Sequence, residues 1–115
     1  MSHDDPAVTD PDLYTVVFEN ERVRVLEYRD NPGDRTHPHR HPDSVMVTLS
    51  AFRRRVTAGG RQVDVDLPAG AARWVGAQEH TGENIGPGAT HSIFVELKEP
   101  GPAPTGDAPL GPSPR

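Results

Sequence analysis

Clusters of turn-forming residues cut this chain into short pieces, and no piece carries a helical period. Asp30-Asn31-Pro32-Gly33-Asp34, Ala58-Gly59-Gly60-Arg61, Pro68-Ala69-Gly70 and Gly86-Pro87-Gly88 gather the residues that preset or permit tight backbone turns. The pieces between them are rich in β-branched and aromatic residues and alternate with a period of two. Strands are predicted over 13–18, 22–28, 44–51, 52–57, 62–67, 71–75 and 90–97. Alternation assigns an inward face to each. Val63, Val65 and Leu67 point in, with Gln62, Asp64 and Asp66 out. Val45, Val47 and Leu49 share a face, as do Ile93, Val95 and Leu97, with His91 on the same side. Trp74 reads as barrel core. Many short strands between Gly/Pro turns predict an all-β sandwich or barrel.

Composition is uneven along the chain. Residues 1–12 hold four Asp and no Lys or Arg, and residues 100–115 hold six of the 13 prolines. Neither end has enough apolar side chains to build a core, so both are expected to be solvated, disordered tails flanking one domain over 13–99. Most of the net charge of −5 falls in these tails. The domain itself is nearly balanced, which argues against a nucleic-acid partner. Arg53-Arg54-Arg55 reads as a solvated or salt-bridged strand surface, with an anion-binding patch as the alternative. The chain has no cysteine, which excludes disulfides, thiolate ligands and Cys nucleophiles. No apolar run reaches the length of a signal peptide or a membrane span, so a cytoplasmic protein without a membrane partner is expected.

The chemistry is concentrated in His37-Pro38-His39-Arg40-His41-Pro42-Asp43, with His80 about forty residues further on. On a strand, alternate residues share a face, so His37, His39 and His41 fall on one side. Imidazole binds divalent transition metals without adding charge. His39, His41 and His80 are therefore the expected metal ligands. His37 is either a further ligand or proton carrier, or a turn residue. Asp43 either ligates or orients a neighbouring ring. Gln78 shares parity with His80 and stands as a candidate for ligation or a substrate hydrogen bond. Glu83 is a candidate acid/base, and Asn84 is expected to satisfy its loop. His91 reads as a core or rim histidine, and His3 lies in the tail.

These two segments resemble the paired motifs of the cupin family. Gly33, five intervening residues and His39-Arg40-His41 fit the first motif. Gly70 and His80-Thr81-Gly82-Glu83-Asn84 fit the second. The match spans nearly all of 13–99. Two departures stand out. The position of the usual ligand Glu falls on Val45 or Met46, and Gly76 replaces the usual Pro of the second motif. The resemblance implies a single-domain jelly-roll β-barrel, a three-histidine variant of the metal site, a small-molecule ligand and frequent homodimerisation. It also implies, by similarity to three-histidine dioxygenases and lyases, a metal-dependent enzyme acting on a small oxygen-bearing molecule, most simply of dioxygenase type. The metal would be Fe(II) by preference, with Ni, Co, Zn, Mn or Cu also suited to three imidazoles. His37, Gln78 or Glu83 would move the proton. The alternatives are a non-catalytic metal- or ligand-binding or sensing module, and a purely structural β-domain.

Overall fold

The computed structural model describes residues 3–102 and 108–114. Nine antiparallel strands form two facing sheets. They are β1 (Tyr14–Glu19), β2 (Val23–Asp30), β3 (His39–His41), β4 (Ser44–Thr48), β5 (Phe52–Ala58), β6 (Arg61–Leu67), β7 (Ala72–Val75), β8 (Gln78–Asn84) and β9 (Thr90–Leu97). One sheet has the order β1-β2-β9-β4-β7 and the other β3-β8-β5-β6. Tyr14, Leu26, Tyr28, Met46, Phe52, Val75 and Phe94 pack between them, with Leu13, Val65 and Leu67 against their edge. This is the predicted all-β jelly roll. No helix among the described residues is long and apolar enough to cross a membrane.

The inward faces of three strands differ from the expected ones, and two short joints explain why. His41 ends β3 in one sheet, and Ser44 starts β4 in the other. Only Pro42 and Asp43 lie between, so the pleat reverses across the joint. Ser44, Met46 and Thr48 are buried, whereas Val45 and Val47 face outward and Leu49 is exposed. The same happens between β7 and β8. Val75 is buried, Gly76 and Ala77 make the joint, and the outward Trp74 is 43% exposed. The two joints are clamped together, the Ala77 backbone N–H donating to Asp43 Oδ1 at 2.8 Å. Register then carries the reversal into β9. Met46 pairs with Phe94 and Ser44 with Glu96, so Ser92, Phe94 and Glu96 point in, and His91, Ile93 and Val95 point out. On β6, Val65 and Leu67 reach the core edge but Val63 is exposed.

Described residues of both segments expected to be solvated tails make contacts with the barrel. Pro6–Thr9 form a short helix, α1, with Asp5 as its N-cap accepting from the Ala7 backbone N–H at 2.9 Å. The Asp5 carboxylate then grips the Arg24 guanidinium with two bonds of 2.8 and 2.9 Å. Asp10 is buried and accepts from the backbone N–H of His37. At the other end, the Gly111 and Ser113 backbone N–H groups donate to Gln78 Oε1 and to the Trp74 carbonyl. These segments lack the apolar residues for a core of their own. Their carboxylates and backbone groups find partners on the barrel instead. Residues 103–107 of the expected C-terminal tail lie outside the described residues.

Candidate metal centre

Gly33 opens the first motif with φ of 89°, a left-handed conformation that glycine adopts without strain. The chain then runs along β8, with backbone bonds between Thr36 and Gly82 in one direction and Thr36 Oγ1 accepting from the Gly82 N–H in the other. This zips β3 onto β8 in a register that sets His39 opposite His80 and His41 opposite Gln78. All four side chains therefore share the inward face. The metal-binding atoms of His39, His41 and His80 lie within 4.8 Å of one another. Their rings meet edge to face, with centroids 4.7, 4.9 and 5.2 Å apart.

Hydrogen bonds fix which nitrogen each ring presents. His39 Nδ1 donates to the His37 carbonyl at 2.9 Å, His41 Nδ1 to Glu96 Oε2 at 3.2 Å and His80 Nδ1 to Gln78 Oε1 at 2.8 Å. A ring that donates from Nδ1 offers its Nε2 lone pair on the other side. Nε2 of His39 and of His41 is buried and has no protein partner. A buried polar atom without a partner costs stability, so two converging on one point call for an occupant. Burial also holds the rings in the neutral, ligating form. It lowers the pKa of His41 to about 3, helped by His39 and Arg24, and lowers those of His39 and His80 as well. The donor set fits a divalent transition metal: three neutral imidazoles and, among the described residues, no carboxylate in the group. Met46, at one of the positions where the family's Glu would stand, points inward beside the site and supplies no hard oxygen ligand.

The remaining sequence candidates sit further out. The His37 side chain is 75% exposed, its Nδ1 pairs with Asp10, and only its backbone carbonyl reaches the site. Glu83 faces away and pairs with Arg35 at 3.1 Å. Gln78 touches His80, but all its amide valences are engaged. Oε1 accepts from His80 and Gly111, and Nε2 donates to the Gly76 and Pro109 carbonyls. It positions a ring and has no bond left for a substrate. Asp43 clamps the joints rather than a histidine ring. Asn84 is buried, bonded to Asp30, Gly88 and Gly86. His91 faces outward on Glu27, and His3 is exposed.

Several contributing residues were missed from sequence. Glu96 is the main one. It is 2% exposed, holds His41 and is itself held by Arg24 at 2.8 Å. Its signal was a lone acid in an apolar strand, and it was hidden by assigning Val95 and Leu97 to the inner face. Tyr14 packs its ring 5.5 and 5.9 Å from those of His39 and His41, and nothing in its sequence context marks it. Beside the rings lies a cavity of about 50 Å³, walled by Tyr14, Met46, Phe52, Val56, Val75 and Phe94. Arg54 also reaches it. Its guanidinium is neutralised by Asp30 at 2.6 Å and donates to the Tyr28 hydroxyl at 2.9 Å. Gly82 makes room for this, because a Cβ there would come within 3.0 Å of Arg54 Nη2. Arg53 and Arg55 pair outside with Asp66 and Asp64. Only the middle arginine of the run enters the interior.

No family model and no curated protein matches the sequence. Solved structures do. A cupin domain from Bordetella pertussis Tohama I is 29% identical, with a TM-score of 0.71 over 76% of this chain and 93% of that one. A double-stranded β-helix protein from Klebsiella pneumoniae is 20% identical at a TM-score of 0.61, covering 100% of this chain and 90% of that one. An RmlC-like cupin from Methanocaldococcus jannaschii is 11% identical at 0.61, covering 74% and 78%. The last two speak for the fold, and the first extends the likeness to sequence over about three quarters of this chain. Jelly-roll topology, the two joined motifs and these similarities together give the chain the fold of the RmlC-like, double-stranded β-helix cupins.

Proposed function

We propose that this cupin holds one divalent transition metal on His39, His41 and His80, Fe(II) by preference, and acts as a metal-dependent enzyme of dioxygenase type on a small oxygen-bearing molecule. The observation that carries the metal is the geometry of the rings: every Nδ1 is engaged and the Nε2 atoms are left facing one another. A metal on three neutral ligands keeps its full +2 charge and open positions, and so acts as a Lewis acid toward a chelating oxygen. The protein's own residues do the rest. Glu96 and Gln78 hold the His41 and His80 rings in one tautomer. Tyr14, Met46 and Phe94 give the substrate an apolar enclosure that excludes water. Arg54 and Asp30 neutralise each other at the cavity wall, which suits a ligand with little net charge of its own. A homodimer and a cytoplasmic setting, where reducing conditions preserve Fe(II), complete the reading.

One observation favours a second reading, a non-catalytic metal- or ligand-binding module. Of the three proton carriers expected from sequence, Gln78 is saturated and His37 and Glu83 point elsewhere. Elemental analysis of anaerobically purified protein separates the readings. One equivalent of metal per chain, lost in His41→Ala, is expected. Oxygen uptake across a substrate panel, abolished by chelation and restored by Fe(II), then marks the enzyme. Stable metal without uptake marks the binding module, and no stoichiometric metal under any loading overturns both.

A further inference from the structure

The cavity beside the rings is too small for the ligand proposed for it. At about 50 Å³ it holds a few waters at most, whereas sites for organic ligands enclose about 300–1,000 Å³. One part of its wall can leave. Apart from Gly111 and Pro112, every lining residue among those described stands on a strand or, as Thr36 does, is bonded to β8. Gly111 and Pro112 belong to the segment 108–114, whose described residues enter neither sheet. The segment is closely seated. Gly111 is buried with φ of 76°, and a Cβ there would meet Val56 Cγ2 at 3.4 Å. Its N–H donates to Gln78 Oε1 at 2.7 Å, and Gln78 Nε2 donates to the Pro109 carbonyl at 3.3 Å. Leu110 lines a surface groove with Val63 and Arg73 and takes no part in the core cluster.

We propose that residues 108–114 are a plug that shuts this cavity, and that a ligand reaches the rings by displacing Gly111 and Pro112 and taking over the bonds that Gly111 and Pro109 make to Gln78. The inference rests on the metal and small-molecule reading above and states how that site is regulated. Gln78 carries the coupling. Its Oε1 accepts from His80 Nδ1 and from the Gly111 N–H at the same time. When the plug leaves, the bond to His80 stays, while one lone pair on Oε1 and one N–H on Nε2 come free. Release breaks no strand ladder, and Gln78 keeps its backbone pairing with His41. The open site presents an acceptor and a donor side by side, next to the His80 ring. A neutral molecule with a hydroxyl or N–H beside a carbonyl replaces both lost bonds. A hydrocarbon replaces neither and leaves the amide unsatisfied, which is unfavourable. Arg54, neutralised by Asp30, makes no demand for a charged ligand. The plug keeps bulk water from the empty site and favours the ligands that return both bonds to Gln78.

Chymotrypsin and the coloured chelator 4-nitrocatechol test this on zinc-loaded protein, where no oxidation follows binding. In the native protein, cleavage after Leu110, read by mass, should be slow, and saturating 4-nitrocatechol should speed it. That arm needs no variant. Gly111→Val puts a β-branched residue at positive φ and should unseat the plug. It should expose Leu110 without ligand and bind 4-nitrocatechol about tenfold more tightly, the shift expected when the closed state carries the strain of one left-handed non-glycine residue. Its zinc content and circular dichroism should match the native protein. Gly59→Val places similar strain at the β5–β6 turn, where φ is 51° and a Cβ meets nothing within 4 Å, and should leave both readouts at the native level. Native protein that takes up zinc and 4-nitrocatechol with Leu110 still protected overturns the plug and leaves the metal reading standing. A folded Gly111→Val that binds the chelator no more tightly than the native protein, or not at all, does the same. Native protein that holds no stoichiometric metal overturns both.

Discussion

Acidifying the metal-free protein should unfold it through the proposed metal ligands. Burial lowers the His41 pKa from 6.5 to about 3. Between those values the unfolded chain binds a proton at this ring and the folded chain does not, so stability falls as pH falls. The slope is about 1.36 kcal/mol per pH unit for each such group. At pH 5 His41 alone removes about 2 kcal/mol, against a total of about 5–15 kcal/mol for a typical domain. His39 and His80 are shifted in the same direction by burial and add to the loss. Glu96, raised by burial, works the opposite way, but only as pH nears the carboxylate range. Urea unfolding in the presence of a chelator, followed by circular dichroism from pH 7.5 to 5, measures the slope. His41→Phe supplies the comparison. The His41 ring already stacks on Phe94 at 5.1 Å and 14°, so an apolar ring suits the site, and the titrating group is gone. The stability gap between native and variant should change by about 2 kcal/mol across that range. Parallel curves would refute the claim that a buried neutral imidazole stands at position 41. In metal-loaded protein the loss should begin at the same pH, set by the unfolded chain, and extend to lower pH because the occupied lone pair resists protonation.

Two further substitutions test the supporting bonds. Gln78→Ala removes the acceptor for His80 Nδ1 and the anchor for Gly111 and Pro109, so metal affinity should drop about 10–100-fold in a competition assay with a chromogenic chelator. The same variant should expose the segment 108–114 to limited proteolysis, and unchanged affinity would remove Gln78 from the site. Arg54→Met leaves Asp30 buried and without its cation. It should cost about 3–5 kcal/mol in denaturant unfolding, and adding Asp30→Asn should recover most of the loss.

Much of the histidine cluster was legible because its logic is local. His39 and His41 are two residues apart, and a strand puts such residues on one side whatever the rest of the chain does. His80 was legible through its motif. The faces beyond the joints were not. Assigning Val45, Val47 and Leu49 to one inner face treats the strand from His41 as running on through Pro42 and Asp43. The chain instead changes sheets there, and again at Gly76 and Ala77, reversing the pleat each time. A one-residue slip moves every side chain to the opposite face. That one error placed Trp74 inside, placed His91 inside and hid Glu96. The contacts of the chain ends were not legible for another reason. Composition reports whether a segment can build its own core, but says nothing of whether Asp5 and Asp10 will meet Arg24 and His37 across space.

The sequence by itself determined that this chain is built of short strands, that it offers a cluster of imidazoles, and that sulfur takes no part in its chemistry. Those properties follow from residue types and their spacing within single segments. Only the tertiary structure decided which nitrogen each ring presents, which acid supports His41, and that the valines of β2, β4 and β9 line an outer face instead of the core. Each of these depends on partners brought together by sheet order and register across tens of residues. Such pairings are set by the whole packed barrel, and no local pattern encodes them.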